Sequence, residues 1–116
     1  MTVVENDDTP IYIKLRGYLA AMIIEGRYAE CGQLPSVRAF AAKHDVNPLT
    51  IAKAYQCLQD EGYVVVKRGI GMFVAEGATE RLRINERRIF LEHVWPRMSK
   101  HIERLGISLD ELIPHE

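Results

Sequence analysis

Thr50 and Lys53 stand one turn apart in the stretch Val46-Asn47-Pro48-Leu49-Thr50-Ile51-Ala52-Lys53-Ala54-Tyr55, with Ile51 and Tyr55 on the opposite side of the helix it predicts. A hydroxyl and an ammonium on one exposed face suit the phosphates or base edges of a nucleic acid. The unpaired N–H groups of such a helix's first turn can take a further phosphate. Lys67 and Arg68 lead into Gly69-Ile70-Gly71, where two glycines let the backbone come close to a partner and Ile70 offers an apolar tip. Lys53 is the single basic residue of the helical stretch, so affinity is expected to rely on two copies of the chain.

Other chemistries find little support. No nucleophile and base are arranged together, no glycine loop follows a strand to cradle phosphates, and no paired carboxylates mark a cleft, so an enzyme is not expected. His93, His101 and His115 lack a ligand partner three or four residues away, so neither a metal site nor a cofactor is expected. His44 lies in a turn, where a phosphate or solvent is its expected neighbour. Cys31 and Cys57 have no zinc or redox spacing and read as two reduced thiols, with a disulfide the minor alternative. No apolar run nears the roughly 18 residues of a membrane span. The acidic start differs from a secretory signal, and a cytoplasmic protein is expected.

The net charge of −1 is unevenly placed. Residues 1–9 carry three acids and no base, residues 10–77 carry eight Lys/Arg against six Asp/Glu, and residues 78–116 carry seven of each. The mildly basic middle permits nucleic-acid binding without requiring it.

The elements that must position these groups follow from periodicity and caps. Thr9 and Pro10 start a first helix with Ile11, Leu15, Leu19, Met22 and Ile23 on one face, ending at Gly26. After a linker from Arg27 to Gln33, Pro35 holds Leu34 extended and Ser36 caps a second helix that turns Val37, Phe40 and Ala41 inward. Lys43-His44-Asp45 breaks the pattern. Asn47, read first as a cap and second as a backbone contact, starts the third helix with Pro48 in its first position. Ile51, Ala54, Tyr55 and Leu58 point inward there, and Gly62 closes it. Two β-branched runs around Lys67–Gly71 then predict a hairpin.

The predicted fold is mainly α with a small β-hairpin: a winged helix-turn-helix plus a short C-terminal helical dimerisation tail. Residues 1–8 read as an acidic disordered arm, 9–77 as the winged domain and 78–116 as the tail. In the tail Leu91, Trp95, Met98, Ile102 and Leu105 are spaced four, three, four, three, a seam to which Val94 is adjacent. Pro96 removes the hydrogen bond to the Glu92 carbonyl and predicts a kink or a break. Ser108-Leu109-Asp110-Glu111 is a capping box for a last short turn. So small an appendage must bury its seam against the winged domain or a second copy, and a two-fold homodimer is the economical solution. Arg81–Arg88 reads as a solvated face paired with Glu80, Glu86 and Glu92, with a supplementary phosphate contact as the alternative. A small-molecule effector at the dimer interface is compatible with the sequence, although no residue marks one.

Five motifs carry a resemblance. Pro10-Ile11-Tyr12, Leu34-Pro35-Ser36-Val37-Arg38, Val46–Tyr55, Leu58-x-x-Glu61-Gly62-Tyr63 and Gly69–Val74 together resemble the GntR superfamily of bacterial transcription regulators, from about Thr9 to Val74. The V-N-P-x-T-x-x-x-A-Y form and the short tail are similar to its YtrA branch. The resemblance implies a homodimeric repressor of a palindromic DNA operator, with the third helix in the major groove and the wing in the adjacent minor groove. It implies DNA-facing roles for Ser36, Arg38, His44, Asn47, Pro48, Leu49, Thr50 and Lys53, and for Lys67, Arg68, Gly69, Ile70 and Gly71. It also implies dimerisation through Leu91, Val94, Trp95, Met98, Ile102 and Leu105. The chain departs from many relatives at Pro48 and Ala52, where they carry arginine, and at Ile70, where the wing tip is commonly basic. Met72 replaces a threonine, and Ala39 an acidic residue that would complete a capping box with Ser36. The alternative reading is a winged-helix module that binds a protein partner and no operator.

Overall fold

Ser36 and Asn47 start the two helices on which the site depends. Ser36 Oγ accepts from the Ala39 N–H at 3.1 Å to open α2 (Val37–His44). Asn47 Oδ1 accepts from the Leu49 N–H at 2.8 Å, and Pro48 occupies the first turn of α3 (Pro48–Asp60). Each oxygen satisfies a donor that a helix start leaves free. Asp45, left-handed at φ 52°, turns the chain between them.

The computed structural model describes residues 9–114, so the predicted acidic arm at 1–8 and His115 lie outside the described residues. Before α2 comes α1 (Ile11–Ile24); after α3 come β1 (Val64–Lys67), β2 (Gly71–Val74) and α4 (Ala78–Ile89). A π-helical turn (Phe90–Val94), α5 (Trp95–Leu105) and α6 (Leu109–Leu112) complete the order. None of the described helices is long and apolar enough to cross a membrane.

Residues Thr9–Asn85 form one compact unit. Its core joins Leu19 and Ile23 of α1, Phe40 of α2, and Ile51, Ala54, Tyr55 and Leu58 of α3, each at most 1% exposed. Val64 and Val74 close the base of an antiparallel hairpin whose register runs from Val64↔Val74 to Lys67↔Gly71. Ala78 and Leu82 of α4, four residues apart, are also fully buried in this core. The winged unit therefore extends to Asn85, eight residues past the predicted boundary at residue 77, because the first turns of α4 bring core residues rather than tail residues.

Two details of α1 depart from expectation. Pro10 is extended, with ψ 145°, so it is the N-cap rather than the first helical residue, and no side chain caps this helix. Ile11 is 69% exposed, while Ala20 joins Leu19 and Ile23 in the core. Each four-residue step drifts about 40° around a helix, which carries Ile11 away from a stripe centred between Leu19 and Ile23.

The segment read as a linker is a third edge of the hairpin. The Leu34 N–H donates to Met72 O at 2.8 Å, Val74 N–H to Gly32 O at 2.9 Å and Cys31 N–H to Val74 O at 2.9 Å. Gln33 bridges Phe73 within the same alignment. Cys31 and Cys57 are both free thiols, Cys31 exposed.

In the second unit, from Glu86 onward, Pro96 disturbs the helix, which passes through a π turn rather than breaking in two. The Trp95 N–H donates to the Phe90 carbonyl, five residues back. In this wider register the Glu92 carbonyl need not wait for the N–H that Pro96 lacks. The capping box forms as predicted, with the Ser108 N–H donating to Glu111 Oε2 at 2.7 Å.

Tyr55 ties α3 to the start of α2, its hydroxyl donating to the Pro35 carbonyl at 2.7 Å. Burial, and secondarily the nearby Tyr28 phenol, pushes its pKa above the ordinary phenol value of 10.0. The unfolded chain therefore ionises first. Tyr55 contributes its full stability below about pH 10 and loses it as pH rises further. Tyr55→Phe should cost about 1–3 kcal/mol at neutral pH. Its urea midpoint should also fall less steeply between pH 9.5 and 11 than that of the parent; parallel declines would show that other groups govern alkaline unfolding.

Candidate nucleic-acid interface

Burial of Ile51, Ala54, Tyr55 and Leu58 decides which side of α3 is left outside. The outward strip is Leu49, Lys53, Gln56 and Asp60, spaced four, three, four, and all four are exposed. Thr50 is half-buried at the edge of this strip rather than on its centre. Lys53 Nζ lies 5.6 Å from the centroid of the Tyr12 ring of α1, a cation–π placement. Gln56 Nε2 donates to Asp60 Oδ1 at 2.8 Å, which occupies the one carboxylate of the strip.

Arg38, the second residue of α2, is exposed and meets no carboxylate among the described residues. Asp60 and Glu61 stand at the far end of α3 from the Pro48 end that Arg38 borders, and are engaged elsewhere. Glu61 receives both arms of Arg16, at 2.9 and 2.6 Å, and Asp60 receives Gln56. Arg38 also borders an open cleft of about 660 Å³ between α2 and α3, lined with it by Val37, Ala41, Ala42, Val46 and Pro48.

The other predicted residues divide by what holds them. Ser36 and Asn47 spend their side-chain oxygens as helix caps. His44 stacks on Phe40, ring centroids 4.2 Å apart, and so belongs to the aromatic packing of α2 as well as to the surface. Pro48 and Leu49 are exposed at the start of α3. In the wing Lys67 and Arg68 are exposed, with Lys67 Nζ 4.5 Å from the Phe73 ring centroid. Ile70 stands at the tip, 65% exposed.

Gln33 is a wing-positioning residue that sequence reasoning missed. Its Nε2 donates to the Ile70 carbonyl at 3.1 Å and so braces the wing tip from the neighbouring edge. Gly71, at φ 146°, makes this possible, because a Cβ there would lie 2.5 Å from the same nitrogen. No periodicity marks Gln33, since its role comes from a backbone pairing between segments nearly forty residues apart. Met72 is partly buried and packs against the core.

The basic run of α4 is largely engaged within the protein. Arg81 donates to the Gly62 carbonyl at 3.0 Å and lies over the Tyr63 ring, Arg83 pairs with Glu80, and Arg88 pairs with Glu92 at 2.9 Å.

Three helices, a short turn between the second and third, and a braced two-stranded wing define a winged helix-turn-helix protein. Residues 11–74 match the family model of bacterial regulatory proteins, gntR family, and the chain belongs to that family. Its relatives in Bacillus subtilis include the HTH-type transcriptional regulator YhcF, 30% identical over 90% of this chain and 84% of YhcF. The HTH-type transcriptional repressor YtrA is 35% identical over 66% of this chain and 59% of YtrA, in keeping with a YtrA-like branch. The chain spans only 41% of YurK, a regulator to which it is 29% identical over 84% of its own length. Among solved structures, a GntR family transcriptional regulator from Listeria monocytogenes is 29% identical, with a TM-score of 0.72 and 93% of each chain covered. The DNA-binding domain of AraR, crystallised with operator ORE1, is 25% identical with a TM-score of 0.54, over 58% of this chain and 82% of AraR's.

Proposed function

We propose that this chain is a cytoplasmic transcriptional repressor that binds, as a homodimer, two inverted half-sites of a double-stranded DNA operator. The observation that carries this reading is the set of exposed cations around the outward strip of α3. Arg38, Lys53, Lys67 and Arg68 have no carboxylate partner among the described residues, whereas the basic residues Arg16, Arg83 and Arg88 do. The AraR domain's complex with its operator supports a DNA partner for the same architecture.

In this reading α3 enters the major groove, Arg38 and Lys53 hold phosphates or bases, and Thr50 supplies a hydroxyl at the strip's edge. Lys67 and Arg68 hold phosphates beside the wing, and Ile70 enters the minor groove, where it gives apolar contact without charge. Dimerisation falls to the tail. The π turn, α5 and α6 contain no buried residue, and Leu91 and Leu105 are 51% and 58% exposed. Helices of this length need a packed face to be stable, and Trp95, Met98, Ile102 and Leu105 share one face of α5, with Val94 and Leu91 leading into it.

The test is selection from a random duplex pool with purified dimer, followed by titration of the winning duplex. An inverted repeat should emerge. With about three phosphates neutralised per protomer, the log–log salt slope should be about −5, and Arg38→Ala should reduce its magnitude by about two across the dimer. Lys53→Ala should weaken binding without changing the fold. Folded, dimeric protein that enriches no duplex would instead favour a winged module with a protein partner.

A further inference from the structure

Leu49 is the most exposed of the large apolar side chains described, at 73%, and it sits in the first turn of α3 at the head of the outward strip. A single exposed leucine is ordinary. Here it has company: Pro48 before it and Ala52 after it are also exposed, so the exposed residues of α3 ahead of Lys53 are all apolar, with the half-buried Thr50 hydroxyl at their edge. Farther along the strip, Lys53 leans over Tyr12 and Gln56 is engaged by Asp60. The exposed tip of the helix's first turn is therefore apolar, bordered by Thr50 and Lys53.

Major-groove base edges present donors, acceptors and one apolar feature, the 5-methyl group of thymine. Recognition helices meet base edges chiefly with their N-terminal residues. An apolar group set there gains nothing from an amine or a carbonyl, and would leave either one desolvated and unpaired. We infer that Leu49, backed by Ala52, reads a thymine 5-methyl group in each operator half-site, an inference that rests on the operator reading above and specifies what α3 recognises.

Deoxyuridine lacks only that methyl, so it isolates the contact without altering the protein. The duplex recovered by selection is synthesised with deoxyuridine at each thymine in turn and titrated with the intact dimer and with Leu49→Ala. One thymine position per half-site should be sensitive, with affinity falling about fourfold when one half-site is changed and about fifteenfold when both are. Leu49→Ala should bind the thymine duplex more weakly and no longer distinguish it from the deoxyuridine duplex. Tight binding that ignores every methyl, or unchanged discrimination in Leu49→Ala, overturns the inference and leaves the operator reading intact. A pool that yields no duplex overturns the operator reading and this inference with it.

Discussion

Ile102→Glu should break the proposed homodimer into monomers and weaken its hold on the selected duplex by about two to four orders of magnitude. Ile102 lies on the face of α5 shared by Trp95, Met98 and Leu105, in a helix that contains no buried residue. A two-fold interface apposes the same patch on both copies, so one substitution sets two carboxylates into one apolar seam. Each would be desolvated without a partner, and each would repel the other. The loss of DNA affinity follows by a separate route. Dimerisation makes the second half-site contact intramolecular, and a monomer forfeits that effective concentration. Because Thr9–Asn85 forms its own compact core, the winged unit should keep its helical circular dichroism. Sedimentation equilibrium and duplex titration read the two effects separately. A dimer that survives with its affinity intact would place the interface away from this seam.

The parts of the fold legible in the sequence are those dictated by neighbours along the chain. Asn47-Pro48 and the inward set Ile51, Ala54, Tyr55 and Leu58 define α3 through a local cap and a helical period, and both stand in the structure. Ser36, Gly62 and the Ser108–Glu111 box are local in the same way. The rest depended on where distant segments meet. The linker gave no sign that Gly32 and Leu34 pair with β2, because backbone pairing of a polar, irregular segment leaves no trace in side-chain pattern. Ala78 and Leu82 read as tail because a four-residue repeat does not say which core it joins. Pro96 announced a disturbance, but whether a helix breaks or shifts to π register depends on neighbouring carbonyls rather than on residue type.

The site divides along the same line. Arg38, Lys53 and the wing cations were legible as charges at motif positions. That Arg38 lacks an internal partner was not, because it lies at the Pro48 end of α3 while the acids Asp60 and Glu61 stand at the other end. The cation–π contact between Lys53 and Tyr12 and the brace from Gln33 likewise require tertiary placement. A net charge of −1 misleads for a related reason. Pairing within the protein, more than the total, decides which charges remain for a polyanion.

Phe40→Ala should lower the stability of the winged unit by about 3–5 kcal/mol, a large share of the roughly 4–12 kcal/mol expected for a unit of this size. α2 is eight residues long and buries only Phe40 and Ala41. The Phe40 ring is 1% exposed and touches three aromatic groups: Tyr18 and Tyr55 edge-on at 6.5 Å, and His44 stacked at 4.2 Å. It is thus the principal apolar anchor joining α2 to α1 and α3. Its loss leaves a cavity and removes aromatic contacts on three sides. His44→Ala, which takes away one exposed partner, should cost only about 0.5–1.5 kcal/mol. Urea unfolding should show the Phe40→Ala midpoint falling with little change in slope. Because Arg38 rides on the same short helix, duplex affinity should fall under conditions where Phe40→Ala is partly unfolded, and recover on cooling to where the fold is populated. A stability loss below about 1.5 kcal/mol would mean that the Tyr55–Pro35 bond and the Ser36 cap hold α2 without the ring.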